Sequence, residues 1–256
     1  MKFLWFNLAE TTYGSTVLPP LFLVLVLSYL EKFLNKHLNE TIRPLFVPFL
    51  CILIMVPLTL LMIGPVSDLL ATGIANGYNF LVNLSPAIAG AVIGGVWQIV
   101  VIFGVHWGIT PVVLANFELY GHDSFQAFQT CAVIAQVGAA LGVMLKTRNK
   151  EFKNMTLSAF LTGIFGITEP IIYGVTLRLK KPFICGCITG AIGAVVTTFF
   201  GSLQYVYAGI PGLLTIVNAY SASNPSSLIG EIIGCAVAFF GAAAIVYFMM
   251  MCLTNC

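Results

Sequence analysis

"SFQAFQTCAVIAQVGAALGVML", residues 124–145, is followed at once by "KTRNK", residues 146–150. Twenty-two residues pass without an Asp, Glu, Lys or Arg, and three basic residues then fall within five. Crossing the hydrocarbon core takes about 20 predominantly apolar residues, because no water is present there to solvate charge or free backbone groups. A short basic segment directly after such a run marks a cytoplasmic end, since positive charge resists translocation. The stretch therefore reads as a membrane-crossing helix with an anchored C-terminal end.

The pattern repeats on both sides. Runs without Asp, Glu, Lys or Arg also cover 11–30, 44–67, 69–117, 182–230 and 232–256. Of the 256 residues 59% are hydrophobic and 8% charged, with a mean hydropathy of +0.99. Soluble domains carry roughly 25% charged residues, so a single water-soluble core is excluded. The expected fold class is an all-α polytopic membrane protein, a helical bundle with interfacial helices and a re-entrant hairpin. Spans are expected near 14–30, 45–66, 86–105, 124–145, 182–201 and 227–252. "EKFLNKHLNETIRPLF", 31–46, sets Phe33, Leu34 and Leu38 against a charged remainder, the pattern of a helix lying in the interface. Over 68–84, Asp68, Thr72, Asn76, Asn79 and Asn83 form one polar stripe at helical spacing. That stripe fits a helix facing headgroups and a crossing helix facing water alike.

Net charge is +2, and the basic residues cluster in short loops rather than on a soluble face, so no nucleic-acid partner is expected. Seven cysteines, an odd count mostly inside apolar runs, give no disulfide framework. "CGC" at 185–187 has no neighbouring His or acid, and neither a metal nor a cofactor is expected. "MKFLWFNLAE" is interrupted too early by Glu10 for a signal peptide. Glycines four apart recur at Gly90/Gly94, Gly104/Gly108, Gly138/Gly142, Gly186/Gly190 and Gly230/Gly234, which lets helices approach closely in lipid.

"FGITEPIIYGV", 165–175, holds a solitary carboxylate. Fifteen uncharged residues precede Glu169 from Asn154, and eight follow it before Arg178. Gly163, Gly166, Pro170 and Gly174 break the segment, and basic groups bracket it. With both brackets cytoplasmic, the chain must enter the membrane and return, placing "GITEP" near the tip of a re-entrant hairpin. Irregular backbone survives at that depth where protein buries it or a wet cavity is lined, and such broken segments point to transport sites. An intramembrane carboxylate costs at least about 2.5–3.5 kcal/mol on insertion scales. Either a functional site offsets that, or Glu169 is a hydrogen-bonded group closing off broken helix ends. His106 is a second candidate, as a site residue or a hydrogen-bonded packing residue. Trp107 reads as an interfacial anchor or as a flat face for a sugar ring. Gln98, Thr110 and Asn116 flank this element. Glu118, His122 and Asp123 are expected in a solvated loop, and Glu231 near the start of the last helix, where a carboxylate favours the dipole.

"GVHWGITPVVLANF" (104–117) and "GIFGITEPIIYGVTLRLKKPF" (163–183) resemble the enzyme IIC permease of bacterial sugar phosphotransferase systems, within the β-glucoside branch of the glucose superfamily. "YGSTVLPP", "FVPFLCILIMVPLTLLMIGP" and "AQVGAALGVMLKTRNK" extend the likeness along the chain. The resemblance implies group translocation: a sugar, expected to be a β-glucoside, is bound, carried inward and presented to a phosphocysteine on a partner enzyme IIB domain. It implies that Glu169 holds the sugar and orients the attacking hydroxyl, and that His106 lines the same site. Trp107 would line it too, with Gly166, Ile167, Thr168 and Pro170 shaping the tip. Arg178, Lys180 and Lys181 would face the IIB partner. It further implies a homodimer in the bacterial inner (plasma) membrane. The chain is expected to be one IIC domain over 1–256, with upstream spans and the IIB and IIA domains outside it. Two rival expectations are a proton-coupled sugar transporter, with His106 and Glu169 as a relay, and a non-transporting remnant of a permease.

Overall fold

The computed structural model describes residues 2–3, 6–7 and 18–254, and these are helical almost throughout, apart from a two-residue antiparallel pair (Lys2–Phe3 with Phe6–Asn7). The start of the first expected span, 14–17, lies outside the described residues, as do the side chains of Asp68 and Thr72. The chain divides into two units, Met1–Gly77 with Trp107–Val112, and Tyr78–His106 with Val113–Cys256.

The first unit is built on α1 (Leu18–His37) and α2 (Arg43–Leu58). Pro19 and Pro20 fall in the first turn of α1, where a missing N–H breaks no helical bond, so they start the helix rather than kink it. The separate interfacial helix expected over 31–46 is not formed. Residues 31–37 are the last two turns of α1, which continues because its apolar stripe does. Leu27, Leu30, Leu34 and Leu38 share one face and pack with Val47 and Cys51 of α2. Arg43 donates from Nη2 to the Leu38 carbonyl at 3.0 Å, satisfying an acceptor at the end of α1. Beyond Pro57 the helix widens into a π turn, Thr59–Ile63, before α3 (Gly64–Leu84). The polar 68–84 segment is thus helical, with Asn76 and Asn83 exposed.

The second unit is organised around α6 (Phe125–Lys146), in which every residue from Phe125 to Ala140 is buried. Against it pack α4 (Pro86–Ile102), α7 (Lys150–Ile164), α10 (Lys181–Thr198) and α11 (Pro225–Thr254). Small residues make this possible. A Cβ at Gly94 would lie 2.5 Å from the Gly190 carbonyl oxygen, and one at Gly190 would lie 2.6 Å from that of Gly94, so α4 and α10 meet backbone to backbone. Gly193 and Gly234 repeat this between α10 and α11, and Gly138 faces the Phe239 carbonyl between α6 and α11. Gly104 departs from the expected pairing: it has φ +70° and open space around it, and it ends α4 in a turn.

Among the described residues, four helical stretches are long and apolar enough to cross a membrane, Arg43–Ser67, Phe125–Lys146, Lys181–Thr198 and Pro225–Met250, and Pro86–Ile102 is a shorter apolar helix. The protein is an all-α, multi-pass membrane protein. Two local expectations are corrected. The segment after "HWG" is not a loop throughout but contains α5 (Thr110–Tyr120). Asp123 behind it is only 2% exposed, accepting from Asn116 Nδ2 at 2.7 Å and from the Gln126 backbone N–H at 2.6 Å. Glu118 is exposed as expected. Glu231 is the seventh residue of α11, fully buried, and therefore past the first turn where a helix dipole acts.

Candidate functional site

Three backbone bonds close the turn after α7: Phe165 and Ile167 donate to the Thr162 carbonyl and Gly166 donates to that of Gly163. Gly166 has φ +94°, a region that L side chains rarely adopt. A Cβ there would strike Ile210 and the Pro211 carbonyl, and one at Gly212 would meet the Gly166 N. The turn is thus wedged against the 210–212 backbone, which leaves no room for a side chain.

The chain then restarts as α8 (Glu169–Ile171), a π turn (Ile172–Thr176) and α9 (Leu177–Leu179). Pro170 sits where no donor is needed, and Glu169 occupies the first turn, which favours a carboxylate. Two bonds tie this arm to α4. Thr168, 3% exposed, donates from Oγ1 to Gln98 Oε1 at 3.3 Å, and Tyr173 donates its hydroxyl to the Ile102 carbonyl at 2.8 Å. The sequence reading did not single out Tyr173, which fixes the arm to α4. Gln98, noted only as flanking, is buried at 1% exposure, and its Nε2 has no hydrogen-bond partner among the described residues.

His106 follows the Gly104 turn, its ring edge-on to Trp97 with centroids 6.2 Å apart. Its Nε2 lies 4.0 Å from Glu169 Oε1; the side chains are 18% and 45% exposed respectively. Burial pushes the imidazole pKa down, and the nearby Glu169 opposes this more weakly. At neutral pH the ring is therefore neutral, so the contact is not a salt bridge, and 4.0 Å is too long for a direct hydrogen bond. The spacing suits a shared third atom. A hydroxyl oxygen about 2.8 Å from both would subtend roughly 90°, near its natural geometry, donating to the carboxylate and accepting from the ring N–H.

Of the other expected site residues, Ile167 is 44% exposed, Pro170 is exposed and Gly166 forms the turn itself. Trp107 falls in the first unit and is 42% exposed. Arg178, Lys180 and Lys181 are exposed, and the Arg178 guanidinium lies 5.8 Å from the Phe152 ring centroid. At about 1.5 Å per residue they begin some 13 Å from Glu169 along the arm, so they are not part of the His106–Glu169 pair.

Residues 1–190, which include both members of that pair, match the model of the family "Phosphotransferase system, EIIC". The chain belongs to the EIIC family. This EIIC chain is 44% identical over 244 residues to the β-glucoside-specific EIIBCA component from Dickeya chrysanthemi, covering 95% of itself and 38% of that protein. It is 39% identical over 210 residues to the β-glucoside-specific EIIBCA component from Halalkalibacterium halodurans, covering 82% of itself and 33% of that protein. To the sucrose-specific EIIBC component of Bacillus subtilis it is 32% identical over 240 residues, covering 93% of itself and 51% of that protein. The EIIC chain thus spans about half or less of the length of these relatives. No solved structure matches it.

Proposed function

We propose that this EIIC chain is a sugar permease of a phosphoenolpyruvate-dependent phosphotransferase system, that it takes a β-glucoside, and that it serves a IIB domain bearing a phosphocysteine. The observation that carries the reading is the His106–Glu169 pair, two polar groups 4.0 Å apart at a break between helices, with Glu169 the solitary charged residue of 154–177. The names of the two β-glucoside-specific relatives support the sugar class and the IIB partner.

In this reading a sugar hydroxyl sits between Glu169 Oε1 and His106 Nε2. Its oxygen attacks the phosphorus of the partner's S-phosphocysteine; the O–P bond forms as the S–P bond breaks, and the thiolate leaves with the electron pair. The hydroxyl proton passes to Glu169, the group to which it is hydrogen-bonded, while the His106 N–H steadies the oxygen. Phosphoryl transfer asks mainly for positioning and charge stabilisation, which the wedged turn supplies. α7, at 15 residues, reaches about 22 Å, short of a bilayer core of about 30 Å. That length supports a reading in which α7 and the α8–α9 arm form a re-entrant hairpin with "GITEP" at its tip. Lys150, Lys153, Arg178, Lys180 and Lys181 lie at the opposite ends of the two arms, on the cytoplasmic side of the bacterial inner membrane, where IIB docks.

The test is calorimetric titration of a panel (β-glucosides, sucrose, trehalose) into the detergent-purified chain and its Glu169→Gln variant. A β-glucoside is expected to bind saturably. A hydrogen bond to a charged group is worth about 1.5–3 kcal/mol, so the variant should bind roughly 10- to 150-fold more weakly. A folded chain that binds no sugar, or a variant that matches the parent, refutes the site. Uptake of unphosphorylated sugar driven by a pH gradient, with no IIB present, would transfer the assignment to a proton-coupled carrier.

A further inference from the structure

A second polar cluster lies in the core of the same unit, on helices that do not carry the His106–Glu169 pair. Cys131 of α6 faces Glu231 and Cys235 of α11, and their donor atoms all lie within 4.8 Å of one another. Glu231 and Cys235 are four apart and so share one helix face. The two Sγ atoms are 3.8 Å apart, and Cys235 Sγ is 4.0 Å from Glu231 Oε1. Gln204 approaches from the segment between α10 and α11, its Nε2 3.4 Å from Glu231 Oε1. Cys131, Gln204 and Glu231 are 0% exposed and Cys235 3%.

Two of these oxygens, Glu231 Oε2 and Gln204 Oε1, have no hydrogen-bond partner among the described residues. Buried acceptors without donors are costly, and the Glu231 carboxylate sits beside two thiols. We propose that this cluster is a metal site, taking a zinc-class (borderline-soft, d10) cation through Cys131, Cys235 and Glu231, with the Gln204 amide, rotated to present its oxygen in place of Nε2, as the fourth donor. Tetrahedral Zn–S bonds of about 2.3 Å place two sulfurs about 3.8 Å apart. The pair is already at that spacing, whereas a disulfide would need about 2.05 Å. Sulfur donors select against magnesium and calcium, which take oxygen. The proton balance closes: two S–H bonds break, two S–Zn bonds form and two protons leave to water, and with Glu231 bound as a carboxylate the site carries one net negative charge. Such an ion would staple α6, α11 and the 202–204 segment, a role separate from sugar chemistry.

The test uses the full chain in detergent, purified metal-free and titrated with Zn2+ or Co2+. One equivalent of Co2+ should bind with a thiolate-to-cobalt charge-transfer band, and Zn2+ should displace it and raise the unfolding temperature. Cys131→Ser combined with Cys235→Ser should abolish the band, and Glu231→Gln should weaken Zn2+ at least tenfold. In case the double variant does not fold, the reciprocal chain, with Cys51, Cys185, Cys187, Cys252 and Cys256 replaced by Ser, should keep one bound Co2+ with its band. A folded parent chain that binds no stoichiometric metal overturns the proposal. So does a band that survives the double substitution or is lost in the reciprocal chain, or a Cys131–Cys235 disulfide found by mass spectrometry in the protein as isolated.

Discussion

Gly166→Ala tests the wedge under the site most directly. The glycine stands at φ +94°, and its missing side chain leaves room for the Pro211 carbonyl and the Ile210 methyl. An alanine there meets two penalties: about 1–2 kcal/mol for a left-handed backbone and about 1–3 kcal/mol for overpacking. Together these predict a loss of about 2–5 kcal/mol. Gly174→Ala is the internal control, for its added Cβ would find only Met155 Cε at 3.9 Å and its φ is not positive. It should be neutral or slightly stabilising, because alanine is the better helix former by about 1 kcal/mol. Denaturant titration in detergent reads the stability of both, and sugar calorimetry at a temperature where both are folded reads the site. If the turn yields instead of the fold, the penalty should appear as weakened sugar affinity in Gly166→Ala. Should that variant match the parent in stability and in affinity alike, the wedge does not hold the turn, and the reasoning fails.

Asp123, raised by burial to a pKa of about 6 from 3.8, holds its proton more tightly in the folded state. Its contribution is therefore fully present below about pH 4 and lost as pH rises to about 6, amounting to about 3 kcal/mol at most. Unfolding curves of the parent relative to Asp123→Asn should show that slope; parallel pH profiles would count against it. Below its depressed pKa His106 becomes an imidazolium and pairs with Glu169 in competition with the sugar hydroxyl, so the sugar Kd should rise on acidification and this rise should vanish in His106→Gln. Gly138→Ala should destabilise by about 1–3 kcal/mol through contact with the Phe239 carbonyl. Gly241→Ala, whose Cβ would sit 3.5 Å from Thr189, should not, and equal effects would refute backbone-to-backbone packing of α6 on α11.

The helices were legible because exclusion of charge from lipid leaves long marks, and 124–145 differs from α6 by one residue at each end. The break at "GITEP" was legible from its glycines and proline. What joins it to His106 was not. The two lie 63 positions apart, and tertiary packing brings them together, including the bonds from Thr168 to Gln98 and from Tyr173 to Ile102. Asp123 misled because a charged residue in a connector ordinarily faces water, and its partners Asn116 and Gln126 stand on different helices. Glu231 misled for the opposite reason: proximity to a helix start suggested a local role, while Gln204 and two cysteines supply a non-local one. In α1, charge at 31–36 signalled an interface, but a continuous leucine stripe kept the helix whole.

The enclosure of α6 bears on how the protein is made. Gln136 donates to the Phe183 carbonyl at 3.2 Å, and Gln126 pairs through both its amide atoms with the backbone of Ala208, 82 residues downstream. At about 5–20 residues per second the ribosome needs about 4–16 s to supply that second partner. Until those partners are made, the Gln136 Nε2 and Gln126 amide groups lack the hydrogen bonds they have in the folded bundle. Its mean hydropathy of 1.7 lies below the 2.7 of Arg43–Ser67, and nascent α6 is expected to stay with the insertion machinery until α10 and the segment after it arrive. Photocrosslinks from position 126 to the translocon should persist in chains arrested before residue 208 and disappear in longer ones.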